Sequence, residues 1–105
     1  MLLAFSIAPQ TTDNPEGSVS EAVAAAIRIV RESGLSHETT SMFTTLEGEW
    51  EEIMDVVKRC VNAVAEYSSR VSLVMKADIR PGYTDQLTAK VERVNALIGE
   101  ESARD

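Results

Sequence analysis

Apolar and polar residues alternate from Leu2 to Ala8, with Leu3, Phe5 and Ile7 on one side and Leu2, Ala4, Ser6 and Ala8 on the other. That period of two predicts a β-strand, which Pro9 closes. The stretch QTTDNPEG reads as a polar loop, with turn chemistry at Asn14–Pro15 and Gly17. The period then lengthens: Val19, Ala22, Val23, Ala26, Ile27 and Val30 form one stripe of an amphipathic helix. Ser18 and Glu21 have the spacing of a capping box at its start, and Gly34 is placed to end it in a left-handed C-cap.

LSHETTSMFTTLEG has the threonine and aromatic content of strands and is long enough for two, joined by a tight turn around Ser41 to Phe43. Helical spacing returns from Glu49 to about Ser68, where Trp50, Ile53, Met54, Val57, Val61, Val64 and Ala65 share a stripe. RVSLVMKADI alternates again, setting Val71, Leu73, Met75 and Ala77 against Ser72, Val74, Lys76 and Asp78. RPGY is a turn, Thr84 is a candidate cap, and Leu87, Val91, Val94 and Ile98 mark a last amphipathic helix ending before Gly99. One domain over residues 1–99 is expected, followed by a frayed, charged tail at 100–105.

The predicted order is β-α-β-β-α-β-α. Its first six elements are the ferredoxin-like βαββαβ sandwich, an α+β fold with both helices on one face of an antiparallel sheet, here with an extra C-terminal helix. The first strand is then central, flanked by the third and the last. Leu3, Phe5, Ile7, Val71, Leu73 and Met75 face the helices. The opposite face offers Ser6, Val74 and Lys76, with Thr44 or Glu47 arriving from the neighbouring strand. Such a mixed face suits a second sheet packed on it across a dimer interface, with a small polar pocket between subunits.

Composition narrows the function. A chain of 105 residues, 44% of them hydrophobic, builds one layer of helix on one layer of sheet, with a radius of roughly 13 Å. Spare apolar surface then favours self-association. The net charge of −7 leaves no basic stripe for nucleic acid and favours cationic or neutral small ligands. A single cysteine, Cys60, excludes an internal disulfide and a cysteine-cluster metal site and fits a reducing compartment. MLLAFSIAP lacks a basic leader and is too short for a signal peptide or a membrane span, so it reads as the first strand of a cytoplasmic domain.

Catalytic candidates are weak. Cys60 lies on the apolar side of a helix, His37 is an edge-strand residue with no nucleophile placed beside it, and no nucleophile-elbow pattern occurs. Glu49, Glu51, Glu52 and Asp55 crowd a helix start, where the dipole favours them, without metal-ligand spacing. Neither PGYTDQ nor LEGEW resembles a phosphate-cradling loop. No catalytic or metal-binding residue is therefore assigned. For binding, Glu47 beside Gly48 offers a carboxylate, Ser6 and Thr44 offer small hydroxyls, and Phe43, Trp50 and Tyr83 offer rings for stacking. The alternatives are a solvated glutamate, a strand-forming threonine and a tryptophan plugging the core.

The stretches AFSIAP, SVSEAVAAAIRIVRESGL, MFTTLEGE and VSLVMKADIRPG together resemble the small thiamine-binding protein family, the single-domain relatives of YkoF-like proteins. The resemblance runs from about Leu3 to Ile98. It is carried by Thr44, Glu47 and Gly48 in a T..EG pattern, by Lys76, Asp78 and Arg80 in K.D.R, and by Pro9 at the strand end. It implies a homodimer formed through sheet faces, often paired into tetramers. It also implies binding of thiamine or its hydroxymethylpyrimidine half near those interfaces, with no cofactor and no catalysis. The family pattern has a proline and a glycine where this chain has Ser41 and Phe43, so Phe43 either fills part of the pocket or supplies a stacking wall. On this reading Ser6, Phe43, Thr44, Glu47 and Lys76 form the ligand site, with Lys76 paired to Glu47 or Asp78 or holding a ligand phosphate. Two other readings stand beside it: an oligomerisation module with no small-molecule ligand, and an enzyme on the same dimeric fold.

Overall fold

The computed structural model describes residues 1–10 and 18–104. The expected turn at Asn14–Pro15 and Gly17, and the Ser18 side chain of the expected capping box, lie outside the described residues. The elements are β1 (Leu2–Pro9), α1 (Ser18–Glu32), β2 (Ser36–Thr39), β3 (Thr44–Glu47), α2 (Trp50–Ala65), β4 (Val71–Asp78) and α3 (Gln86–Arg104). The sheet order is β2-β3-β1-β4, antiparallel at every pairing. This is the expected α+β ferredoxin-like arrangement with an added C-terminal helix.

Register decides which residues share a face. Leu3 opposes Leu46 and Ala77, Phe5 opposes Thr44 and Met75, and Ile7 opposes Leu73. These face α1 and α2, which close over them with Ala22, Ala26, Val30, Ile53, Val56, Val57, Cys60 and Val64. Small residues at 22 and 26 let α1 approach α2 so closely that the Cys60 thiol donates to the Ala26 carbonyl at 3.4 Å. Burying each large apolar side chain here stabilises the fold by roughly 1.5–3 kcal/mol.

The chain stops and turns for local reasons. Gly34 takes φ +80° after α1, and the Ser33 hydroxyl donates to Val30 O at 2.6 Å while accepting from Leu35 N at 3.2 Å. Between β2 and β3, Thr40 N donates to Phe43 O at 2.9 Å, so Ser41 and Met42 make the tight turn. Neither has positive φ, which explains why the turn needs no Asn-Gly or Asp-Gly. Between β4 and α3, Gly82 at φ +83° allows Tyr83 N to reach Arg80 O at 3.2 Å.

Three expectations about the core need correction. Trp50 is the first residue of α2 rather than a core plug; it is 53% exposed, while burial begins at Ile53. Val19 and Val23 of α1 are exposed, because the four-residue strand β2 and its short turn leave that flank of the helix uncovered. Met75 has helix-side parity but lies on the edge strand, where it remains exposed.

The last helix differs too. It does not end before Gly99 but continues to Arg104, so most of the expected frayed tail is helical. Val91, Val94, Leu97 and Ile98 are each more than half exposed, and a Cβ on Gly99 would meet nothing within 4 Å. α3 therefore projects from the sandwich. The radius of gyration is 16.6 Å, against the roughly 13 Å of a compact chain this long.

Candidate functional site

The ladder between β1 and β3 ends at the Phe5–Thr44 pair, whereas β1 continues beside β4 to Pro9. Past Phe5, β1 thus has a strand on one side only. The gap on its other side is a cleft of about 230 Å³ between β1, α1 and the β2–β3 turn. Because the strand is approached edge-on there, residues of both parities line it: Phe5 and Ile7 from the helix side, Ser6 from the outer side. Val23, Ala26 and Ile27 of α1 form an apolar wall, and Thr39 through Thr44 supply the other.

That second wall is dense in hydroxyls, and several are already oriented. The Thr39 and Thr44 Oγ1 atoms lie 3.3 Å apart, one donating to the other. The Thr40 hydroxyl donates to Phe43 O at 3.0 Å, holding the turn and with it the Phe43 ring position. Thr44 is only 6% exposed. Each hydroxyl has one donor and two acceptor sites, so these bonds leave capacity for a ligand. Among the described residues, the lining carries no charged side chain.

Three of the five expected site residues, Ser6, Phe43 and Thr44, are therefore brought together. Thr44 arrives by a different route from the one expected: paired with Phe5, it points to the helix side and not to the outer face. The remaining two stand elsewhere. Glu47 pairs with Leu2 at the far end of β1, and its carboxylate accepts Gln86 N at 2.8 Å and Leu87 N at 3.3 Å. It caps α3 from a strand. Thr84 does not provide that cap; Asp85, at φ +57°, turns the chain so that the first two helical amides face Glu47. Lys76 is exposed on the edge strand opposite Ala4, two residue pairs along and two strands away from Glu47. Two inter-strand spacings, about 10 Å, separate their backbones, so the sheet does not join them.

Trp50 and Tyr83 line a separate cleft of about 190 Å³ near Met1, with the Arg80 guanidinium 3.6 Å from the Tyr83 ring centroid. His37 is exposed on β2, its Nδ1 2.9 Å from Leu35 O. Burial pushes the Cys60 thiol up to about 11, opposed in part by Arg59, so this sulfur stays protonated and unreactive. Among the described residues no cluster of His, Cys, Asp or Glu could hold a metal ion, and no helix is long and apolar enough to cross a membrane.

Sequence reasoning missed Thr39, Thr40 and the α1 wall. The signal was the hydroxyl run ETTSMFTT, which reads equally well as strand propensity.

A family model described as thiamine-binding protein matches residues 3–95. A UPF0045 protein of Mycobacterium bovis is 52% identical over 99 residues, covering 93% of this chain and 94% of the relative. Among solved structures, a Bacillus cereus domain of unknown function, DUF77, superposes with a TM-score of 0.77 at 34% identity, covering 86% of this chain and 85% of the other. A Thermotoga maritima protein provisionally assigned to thiamine biosynthesis or salvage superposes with a TM-score of 0.70 at 27% identity, covering 87% and 96%.

Proposed function

The chain belongs to the thiamine-binding protein family, and on that premise we propose that it binds the aminopyrimidine of thiamine or a related compound, unchanged, in the cleft where the β1–β3 ladder ends at Thr44. The observation that carries this reading is the gathering of Ser6, Phe43 and Thr44 with an apolar α1 wall around about 230 Å³. A neutral aminopyrimidine presents ring nitrogens that accept and an amino group that donates, and hydroxyls serve both. Phe43 offers an aromatic face, and an offset ring pair contributes about 0.5–1.5 kcal/mol beyond area burial. Glu47 is no ligand contact on this reading, since its carboxylate already serves α3.

In this proposal the protein is a carrier, buffer or sensor, since the hydroxyls and apolar wall of the cleft suit holding a ligand unchanged. A buried, unreactive Cys60 suits work in a reducing cytoplasm. Assembly into homodimers through the outer sheet face, and into tetramers, belongs to the same proposal. Leu2, Ala4, Ser6 and Ala8 lie half-buried on that face beside an exposed Val74.

Titration with hydroxymethylpyrimidine and thiamine tests the reading. At a hundredfold excess over Kd a ligand stabilises its protein by about 2.7 kcal/mol. Ser6→Val, Thr44→Val and Phe43→Ala should each diminish the thermal shift, and Glu47→Gln should leave it in place. No shift with either compound, or one indifferent to all three cleft substitutions, would sink the proposal.

A second reading, an oligomerisation module without a ligand, is favoured by the apolar stripe of α3. Under it, Val94→Glu changes the mass in solution and no aminopyrimidine shifts the melting curve.

A further inference from the structure

Val23 and Ile27 belong to two walls at once. They line the cleft, and they also line an open trough of about 510 Å³ running along α1 with Ser20, Ala24, Arg28 and Arg31. The trough's described lining comes from α1 alone, and it is an open shelf beside the cleft. Its chemistry differs from the cleft it adjoins. The cleft's described lining is uncharged, whereas the shelf carries two guanidiniums three residues apart, a spacing that sets both side chains on one side of the helix. Both arginines are exposed on the helix, open to an incoming anion. Ile27 to Arg31 is about 6 Å along the helix axis, within the span of a hydroxymethyl ester and an arginine side chain.

Resting on the aminopyrimidine reading above, the geometry points to a phosphorylated aminopyrimidine as the preferred ligand, its ring in the Ser6–Phe43–Thr44 cleft and its phosphate on Arg28 and Arg31. A shelf suits a phosphate, which keeps part of its hydration while meeting planar N–H forks. The same two guanidiniums oppose a cationic thiazolium beside the cleft, so thiamine itself ranks below the phosphorylated pyrimidine. The overall charge of −7 does not contradict this, because the contact is local and within a screening length of the two arginines.

The test is isothermal titration of the full chain and of Arg28→Gln/Arg31→Gln with hydroxymethylpyrimidine, its monophosphate, thiamine and inorganic phosphate, each at low and high salt. The monophosphate should bind roughly tenfold tighter than the alcohol, since two partly exposed ion pairs to one dianion each contribute modestly. That advantage should shrink with salt and vanish in the double variant, while affinity for the alcohol stays unchanged. Equal affinities in the parent protein, or an advantage that survives the double substitution, overturn this inference and leave the aminopyrimidine reading standing. If neither alcohol nor monophosphate binds, both fall. Inorganic phosphate binding as tightly as the ester would also overturn it, since the ring would then contribute nothing.

Discussion

Replacing Glu47 by alanine separates the two roles open to this residue. The carboxylate accepts from Gln86 N at 2.8 Å and Leu87 N at 3.3 Å, two of the amides that a helix start leaves without intrahelical partners. Losing a side-chain cap costs about 1 kcal/mol, and a negative charge at the positive end of the dipole adds a few tenths more. The helix has little else to hold it. Most of its apolar residues are exposed, so it lacks the tertiary packing that supplies most helix stability in proteins. The loss should therefore appear as local opening of α3 and not as global unfolding. Hydrogen exchange followed by mass spectrometry should show amides of α3 exchanging about fivefold faster, the factor that 1 kcal/mol represents. Peptides from β1 and α2 should keep their rates, and ligand-induced stabilisation should persist. Unchanged exchange in α3 would refute the capping argument. Equal acceleration in β1 would mean that Glu47 supports the whole sandwich, and loss of the ligand shift would return it to the binding site.

Gly34→Ala should destabilise the fold by about 1–2 kcal/mol: φ is +80° and no atom lies within 4 Å of the added Cβ, so the cost is conformational. Chemical denaturation measures it, and a neutral result would refute the left-handed cap. For Cys60 the folded thiol has its pKa raised from 9.0 to about 11, so the unfolded chain loses this proton first as pH rises. Its contribution is intact below pH 9 and lost progressively towards pH 11, on the order of 2–3 kcal/mol in all. Comparing the pH dependence of the parent with Cys60→Ala isolates that slope, and identical slopes would contradict it. Thr44→Val is expected to change stability by no more than about 1 kcal/mol, because the exposed Thr39 hydroxyl finds water instead. Equilibrium unfolding checks this, and a much larger loss would mean that the hydroxyl pair holds the hairpin.

Much of the fold was legible because period and punctuation agreed. β1 alternates and stops at Pro9, α1 has Gly34 behind it, and the RPGY turn has Pro81 and Gly82 where a tight turn needs them. What stayed hidden depended on lateral extent. Helical spacing places the start of α2 to within a residue and groups Trp50 with Ile53, but does not show that Trp50, in the first turn, stays half exposed. It groups Val19 and Val23 with Ala22 and Ala26, but not that β2 is too short to cover their flank. For the site, alternation separates Ser6 from Phe5 and Thr44, and only the end of the ladder brings both parities to one gap. Glu47 was the least legible. A helix start needs an acceptor, but nothing local to Gln86 shows that it comes from a strand 39 residues earlier.

The point at which β3 leaves β1 has a consequence for how such a site could diversify. Antiparallel pairing advances in whole residue pairs, so the size of the opening is a discrete variable rather than a continuous one. Lengthening the hairpin by one pair on each arm would carry the ladder to Ser6 and narrow the gap; shortening it would remove Thr44 and lay Phe5 bare. Lengthening leaves the α1–α2 core untouched, whereas shortening past Thr44 would begin to uncover Phe5, a core residue, so the range has a floor. Hairpin length is thus an integer dial on ligand capacity, one that insertions and deletions in a surface turn could set above that floor while the sandwich beneath is inherited intact.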